Sequence, residues 1–198
     1  MKGIAAIATL VALASFSMTS AADESQTGRV HYEFDQESGK TLSLNIRSAE
    51  VVIEGSDTTK FTIGFDGEKA DQATAVKVTY KVKGDVIECG ITEGPHNDFR
   101  ILIGVPAITN LVVRMPAGVL QMNEVRGSKD VKMHAGDLDI NIGDADDYAS
   151  IDASVTTGEI DVSALGAETG GFFRKFHRSG PGSFRLLVHM GAGQLTLQ

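Results

Sequence analysis

The chain has no tryptophan, a single cysteine and only four prolines in its 198 residues, and aromatics make up 6% of it. Each scarcity removes a class of function. With so few rings, a platform of stacked aromatics for sugars or bases is not on offer. With Cys89 alone, no disulfide can close within one chain. Cys89 shares parity with Ile87 and Ile91, which marks it as a small buried hydrophobe rather than a nucleophile or a dimerising thiol. Positive charge is also short. Eighteen Lys and Arg stand against 26 Asp and Glu, a formal net charge of -8. Nucleic-acid affinity rests on cationic contacts to phosphate, so the balance argues against nucleic acid. It argues equally against anionic membrane surfaces. HExxH, G-x-S-x-G and phosphate-loop signatures are missing. His31, His96, His134, His177 and His189 show no paired spacing and read as surface or loop residues.

Glycine is what the chain has instead, with 22 residues. One pattern organises them: apolar-x-apolar-x-x-Gly-x-apolar-x-apolar. It reads Val113, Met115, Gly118, Leu120, Met122, then Val131, Met133, Gly136, Leu138, Ile140, then Ala153, Val155, Gly158, Ile160, Val162. The last residues supply Val188, Met190, Gly193, Leu195, Leu197. An upstream copy with Ala at the turn reads Leu44, Ile46, Ala49, Val51, Ile53. Alternation with period two marks a strand with one buried face. The glycine breaks the alternation and turns the chain, either through φ > 0 or through close backbone approach. Each copy is therefore strand, corner, strand, with corners at Gly118, Gly136, Gly158 and Gly193. The three central corners lie 18 and 22 residues apart. That period predicts an all-β fold, a short β-solenoid of stacked coils with irregular N-terminal strands. A β-sandwich of hairpins with similar turns is the alternative.

The runs VVRMPAGVLQM, VKMHAGDLDI and ASVTTGEIDV, with AEVVIEGSD upstream, resemble the repeats of the bacterial putative-adhesin family. That family is a domain of unknown function found in envelope and secreted proteins. The resemblance spans about residues 42–198. It implies a β-helix-like stack and an extracytoplasmic setting, and it carries no catalytic residue across.

Met1–Ala22 has a basic start at Lys2, an apolar run from Ile4 to Phe16 and small residues at its end. This is the layout of a cleaved secretory signal, too short and Ala-rich for a lasting membrane span. An uncleaved anchor helix is the alternative reading. Residues 23–198 then form a single domain, exported to the periplasm or the cell exterior.

Two stretches are candidate sites. Phe172-Phe173-Arg174-Lys175-Phe176-His177-Arg178 is a basic-aromatic insert that stretches the corner spacing between Gly158 and Gly193 to 35 residues. It reads either as a projecting loop, with Arg174, Lys175, His177 and Arg178 contacting an anionic partner, or as a cap over the open end of the stack. The second stretch is acidic. If the copies at Gly136 and Gly158 are neighbours, Asp137 stacks on Glu159 and Asp139 on Asp161. Carboxylates that close repel unless solvent, a base or a cation intervenes, so a Ca²⁺ site and a plain solvated face are both open. No other cofactor is indicated.

Together these features predict a non-catalytic, adhesin-like interaction or scaffold module of the envelope, with an envelope component or a protein as partner. One alternative is a structural protein that self-associates through the ends of the stack. Another is a glycan-acting enzyme, against which the missing tryptophan counts.

Overall fold

The computed structural model describes residues 31–36, 40–165, 167–169 and 174–198, with backbone alone at 167–169. The expected signal segment and Phe172 and Phe173 of the insert lie outside the described residues.

Among the described residues the alternating segments form thirteen strands: β1 (Tyr32–Asp35), β2 (Thr41–Ile46), β3 (Ala49–Ser56), β4 (Lys60–Asp66), β5 (Val76–Lys83), β6 (Val86–Glu93), β7 (Arg100–Pro106), β8 (Asn110–Asn123), β9 (Lys129–Ile140), β10 (Tyr148–Val162), β11 (Ala167–Thr169), β12 (Arg174–Ser179) and β13 (Phe184–Leu197). Short 3-10 turns at Ala70–Ala75, Ala145–Asp147 and Ser163–Leu165 are the helical segments of the described residues. The protein is all-β, and its strands join in one mixed sheet.

β8, β9, β10 and β13 each carry a whole repeat copy, and each bends at its glycine. The sheet therefore has two arms. Before the corner the order is β5-β6-β2-β8-β9-β13-β10-β12. After it the order is β1-β4-β7-β3-β8-β9-β13-β10-β11. Inward residues of both arms, from Leu42 and Val51 to Val188 and Leu195, belong to one continuous apolar core. The interior strands are parallel, while the outermost pairings are antiparallel. Antiparallel, lysine-bearing borders such as β5 and β12 blunt the open edges of a sheet.

The corners explain why the turn residue is glycine. Gly118, Gly136, Gly158 and Gly193 have φ between +123° and +140°. A Cβ at Gly136 would lie 1.9 Å from the carbonyl oxygen of Gly118, and one at Gly193 would lie 1.8 Å from that of Gly136. Gly118 stands in the same relation to Ala49, and Gly158 to Gly193. Each corner thus rests on the carbonyl of the next, and every such Cβ would point the same way along the stack. Ala49 is the last corner in that direction. Beyond it β6 and β7 are joined by residues 94–99 rather than by a single bent strand, so a methyl there meets no further corner.

One expectation is corrected. The copies at Gly136 and Gly158 are not neighbours, because β13 lies between them and pairs in parallel with both β9 and β10. The chain leaves β9, skips one strand position to form β10, runs back antiparallel to β10 as β11 and β12, and crosses under its start to enter the gap as β13. The crossing segment holds Gly180 N to Ala149 O at 3.2 Å and Ser183 N to Asp147 O at 3.0 Å. The four extra residues between Gly136 and Gly158 supply the reach for the skipped position. A coil-by-coil winding would have used adjacent positions.

Gly136→Ala is expected to cost more than about 3 kcal/mol, from the left-handed backbone and the clash together. Ala49→Gly should cost about 1 kcal/mol or less. Denaturant melts of the two variants check the contrast, and equal losses would contradict the corner ladder. Deleting Phe184–Gln198 strips one edge of pairing from β9 and from β10 and opens the core. The shortened chain should lose its cooperative thermal transition, and a wild-type melt would contradict the inserted strand.

Candidate functional site

Each arm carries on its outer face one line of side chains dominated by one sign. At one register position of the first arm, side chains from six neighbouring strands line up: Lys175, Ser154, His189, Lys132, Arg114 and Asn45. All have outward parity, since their neighbours Val155, Val188, Val131 and Val113 are buried. The row contains no carboxylate. On the second arm, the position after the corner holds Glu50, Val119, Asp137, Gln194 and Glu159, and two residues further come Asp139 and Asp161. The net charge of -8 therefore conceals a basic band on one face.

Neutralisation within the row is uneven. Arg114 is held by Asp130 through two hydrogen bonds of 3.0 and 2.7 Å. His189 Nδ1 lies 3.0 Å from Ser154 Oγ. Among the described residues, no carboxylate lies within ion-pair distance of Lys132 or Lys175. At the β12 end the row borders a concavity of about 240 Å³ lined by Ser154, Val155, Thr156, Arg174, Lys175 and His189. A second one, of about 330 Å³, lies beside the last corner and is lined by residues that include Ser48, Glu50, His96 and Gly118.

Of the two readings of the insert at 172–178, a projecting loop or a cap, the described part is not a projecting loop but a strand. Arg174–Ser179 is β12, paired antiparallel with Ser150–Val155. Its alternation sorts the four candidate residues. Phe176 packs against the core. Arg174 turns to the same side, and its side chain is 16% exposed, 3.9 Å from Glu159. Arg178 pairs with Asp146 at 2.8 Å, and His177 Nδ1 with Asp152 at 2.6 Å. Lys175 alone of the four points outward without such a carboxylate. The strand covers the outer edge of β10, which is what a cap would do.

The acidic pairs are corrected as well. Gln194 stands between Asp137 and Glu159, and Thr196 between Asp139 and Asp161. The carboxylates are thus two strand positions apart, roughly 10 Å. Asp139 accepts hydrogen bonds of 2.9 and 3.1 Å from Gln198, and Asp161 accepts one from Ser163 N that holds its carboxyl below the usual range. Among the described residues no group of three or more His, Cys, Asp or Glu could hold a metal ion.

Lys129 is the unforeseen residue. It has the inward parity of Val131 and Met133 and is 2% exposed. Its ammonium donates to Tyr148 Oη at 2.5 Å and to Gly127 O at 3.3 Å, and lies 5.1 Å from the Tyr148 ring centre. Burial pulls its pKa down to about 8. Burial, then the negative charge of Asp147, pushes the Tyr148 hydroxyl up to about 12. Cys89 is buried too, and that burial pushes its thiol up to about 12. A thiol so poorly ionised is no nucleophile.

No protein-family model and no curated relative matches the sequence. Solved structures do. A putative cell adhesion protein from Clostridium sporogenes superposes with a TM-score of 0.53 over 85% of this chain and 97% of its own, at 12% identity. The chain has the fold of that protein. This agrees with the resemblance seen in its repeats. A putative adhesin from Parabacteroides merdae matches over 59% of this chain and 53% of its own, at 12% identity and a TM-score of 0.24. A putative lipid binding protein from Parabacteroides distasonis covers 86% of this chain and 74% of its own, at 10% identity and a TM-score of 0.32. No helix among the described residues is long and apolar enough to cross a membrane.

The Lys129–Tyr148 pair gives a pH signature. Between pH 8 and 10.5 the unfolded chain keeps the Lys129 proton that the folded chain has released, so stability rises with pH across that window. Between pH 10 and 12 the unfolded chain loses the Tyr148 proton that the folded chain keeps, so stability falls. In Lys129→Met the alkaline rise should vanish while the fall remains. Denaturant midpoints measured from pH 7 to 11.5 read this directly, and an undiminished rise in the variant would refute the assignment.

Proposed function

We propose that the chain is an exported, non-catalytic, adhesin-like interaction module of the bacterial cell envelope. The observation that carries this reading is the carboxylate-free row of Lys175, Ser154, His189, Lys132, Arg114 and Asn45 on the first arm, set against the acidic line just past the corners on the second. In that row Arg114 and Lys132 stand side by side on neighbouring strands; Asp130 holds Arg114, while no carboxylate among the described residues lies within ion-pair distance of Lys132. The layout of residues 1–22 supports export, and the fold likeness to a putative cell adhesion protein supports the adhesin-like role. Four glycine corners in register support a short solenoid-like stack with one position filled late by β13. Edge-to-edge growth is the weaker reading, because charged antiparallel strands border both ends.

The test is co-sedimentation of the purified chain with a bacterial envelope fraction at low and at moderate salt. Retention that weakens as salt rises is expected, since exposed charge contacts are screened within about 10 Å at 0.1 M. A chain that stays in the supernatant at both salts would contradict the module reading.

A further inference from the structure

The row on the first arm has a shape as well as a charge. It is one residue wide and runs along the stack, across the strands. From Lys175 to Arg114 it spans four strand steps, roughly 19 Å. The neighbouring register position is different: there His177, Asp152, Leu187, Asp130 and Val112 follow one another. Two carboxylates therefore border the row on one side. A flat anionic bilayer would have to approach them together with the cations. A duplex, with a charge every 1.7 Å or so of its axis, would meet a face far too sparsely cationic to hold it. Single-stranded nucleic acid gains affinity by stacking successive bases on rings, and His189 is the one ring in this row, with no Phe, Tyr or Trp beside it.

A narrow, flexible and hydroxylated polyanion has none of these difficulties. Lys132 and Lys175 are exposed ammonium groups three strand steps apart, roughly 14 Å. Between them Ser154 and His189 offer hydrogen-bonding groups suited to sugar hydroxyls. Beyond Lys132, Arg114 keeps 39% of its side chain exposed although Asp130 holds it. The concavity at the Lys175 end, about 240 Å³, is smaller than the roughly 300 Å³ at which pockets for whole small ligands begin. It fits one unit of a longer chain better than a free ligand.

We propose that this row is a track for a linear acidic polysaccharide, with carboxylates meeting Lys175 and Lys132 and hydroxyls meeting Ser154 and His189 between them. The inference rests on the interaction-module reading and names the chemistry of its partner.

The experiment uses the purified chain and fluorescently labelled polygalacturonate, with neutral dextran, anionic phosphatidylglycerol vesicles and a single-stranded oligonucleotide beside it. Binding of polygalacturonate but not dextran is expected, falling with salt. Lys132→Gln with Lys175→Gln should weaken it about tenfold or more, the loss of two charge-assisted contacts. Lys77→Gln with Lys81→Gln on β5 removes the same charge away from the row and should leave binding unchanged. Thermal melts matching wild type show that both variants are folded. Absence of polygalacturonate binding at low salt would overturn the proposal. So would an equal loss in the β5 variant, or vesicles or oligonucleotide binding as tightly as polygalacturonate. Self-association that the row variant abolishes, without polysaccharide binding, would assign the face to the acidic arm of a second copy and overturn it too. If envelope retention persists while polygalacturonate does not bind, only the polysaccharide track falls.

Discussion

The structure depends on one close approach, a glycine corner passing over the carbonyl oxygen of the next corner. At separations that leave a Cβ less than 2 Å from that oxygen, a side chain at Gly118, Gly136, Gly158 or Gly193 has no room. The approach fixes the register of every copy at its middle. Alternation then fixes which side chains face inward on both arms, because a one-residue slip would turn each strand inside out. Core composition, face chemistry and the order of the stack all follow from corners held in line.

The same constraint gives the outer faces their chemistry. With corners aligned, a given repeat position becomes a line across the sheet. Four residues before the corner stand Asn45, Arg114, Lys132, Ser154 and His189, and one residue after it stand Glu50, Val119, Asp137, Glu159 and Gln194. Charge that looks scattered along the chain is sorted by the fold into a basic band and an acidic one. Lys175 joins the basic band from outside the repeat, because β12 runs back along β10 in matching register. Bulk charge is thus a poor guide to what such a sheet can bind, and the local line of like charges is the better one.

Much of this was legible in the sequence. The alternation and the recurring glycines identify the bent strands and nearly all of the buried residues they carry. The Ala at position 49 is readable as well, once an end of the stack is granted. The strand order was not legible, because repeats say which segments are alike and not which lie side by side. The longer spacing between Gly136 and Gly158 was the one trace of the skipped position. The arrangement of the insert was not legible from its composition: strand alternation sends Arg174, Phe176 and Arg178 to one side and Lys175 and His177 to the other, so its basic residues do not form one group. Lys129 carried a signal in its inward parity, but a lysine at such a position is ordinarily turned out by a bend, and only the packing around Tyr148 shows that it stays inside. The row was encoded at a constant offset from each corner, a regularity visible only when the copies are compared at their polar positions.

The order of the stack is the central claim, and solution NMR of the labelled chain tests it most directly. Contacts from Val188 to both Val131 and Ala153 are expected, since β13 pairs with β9 on one side and β10 on the other. A direct backbone contact between Val131 and Ala153, with Val188 beside only one of them, would mean that the copies wind in sequence and would contradict the inserted strand.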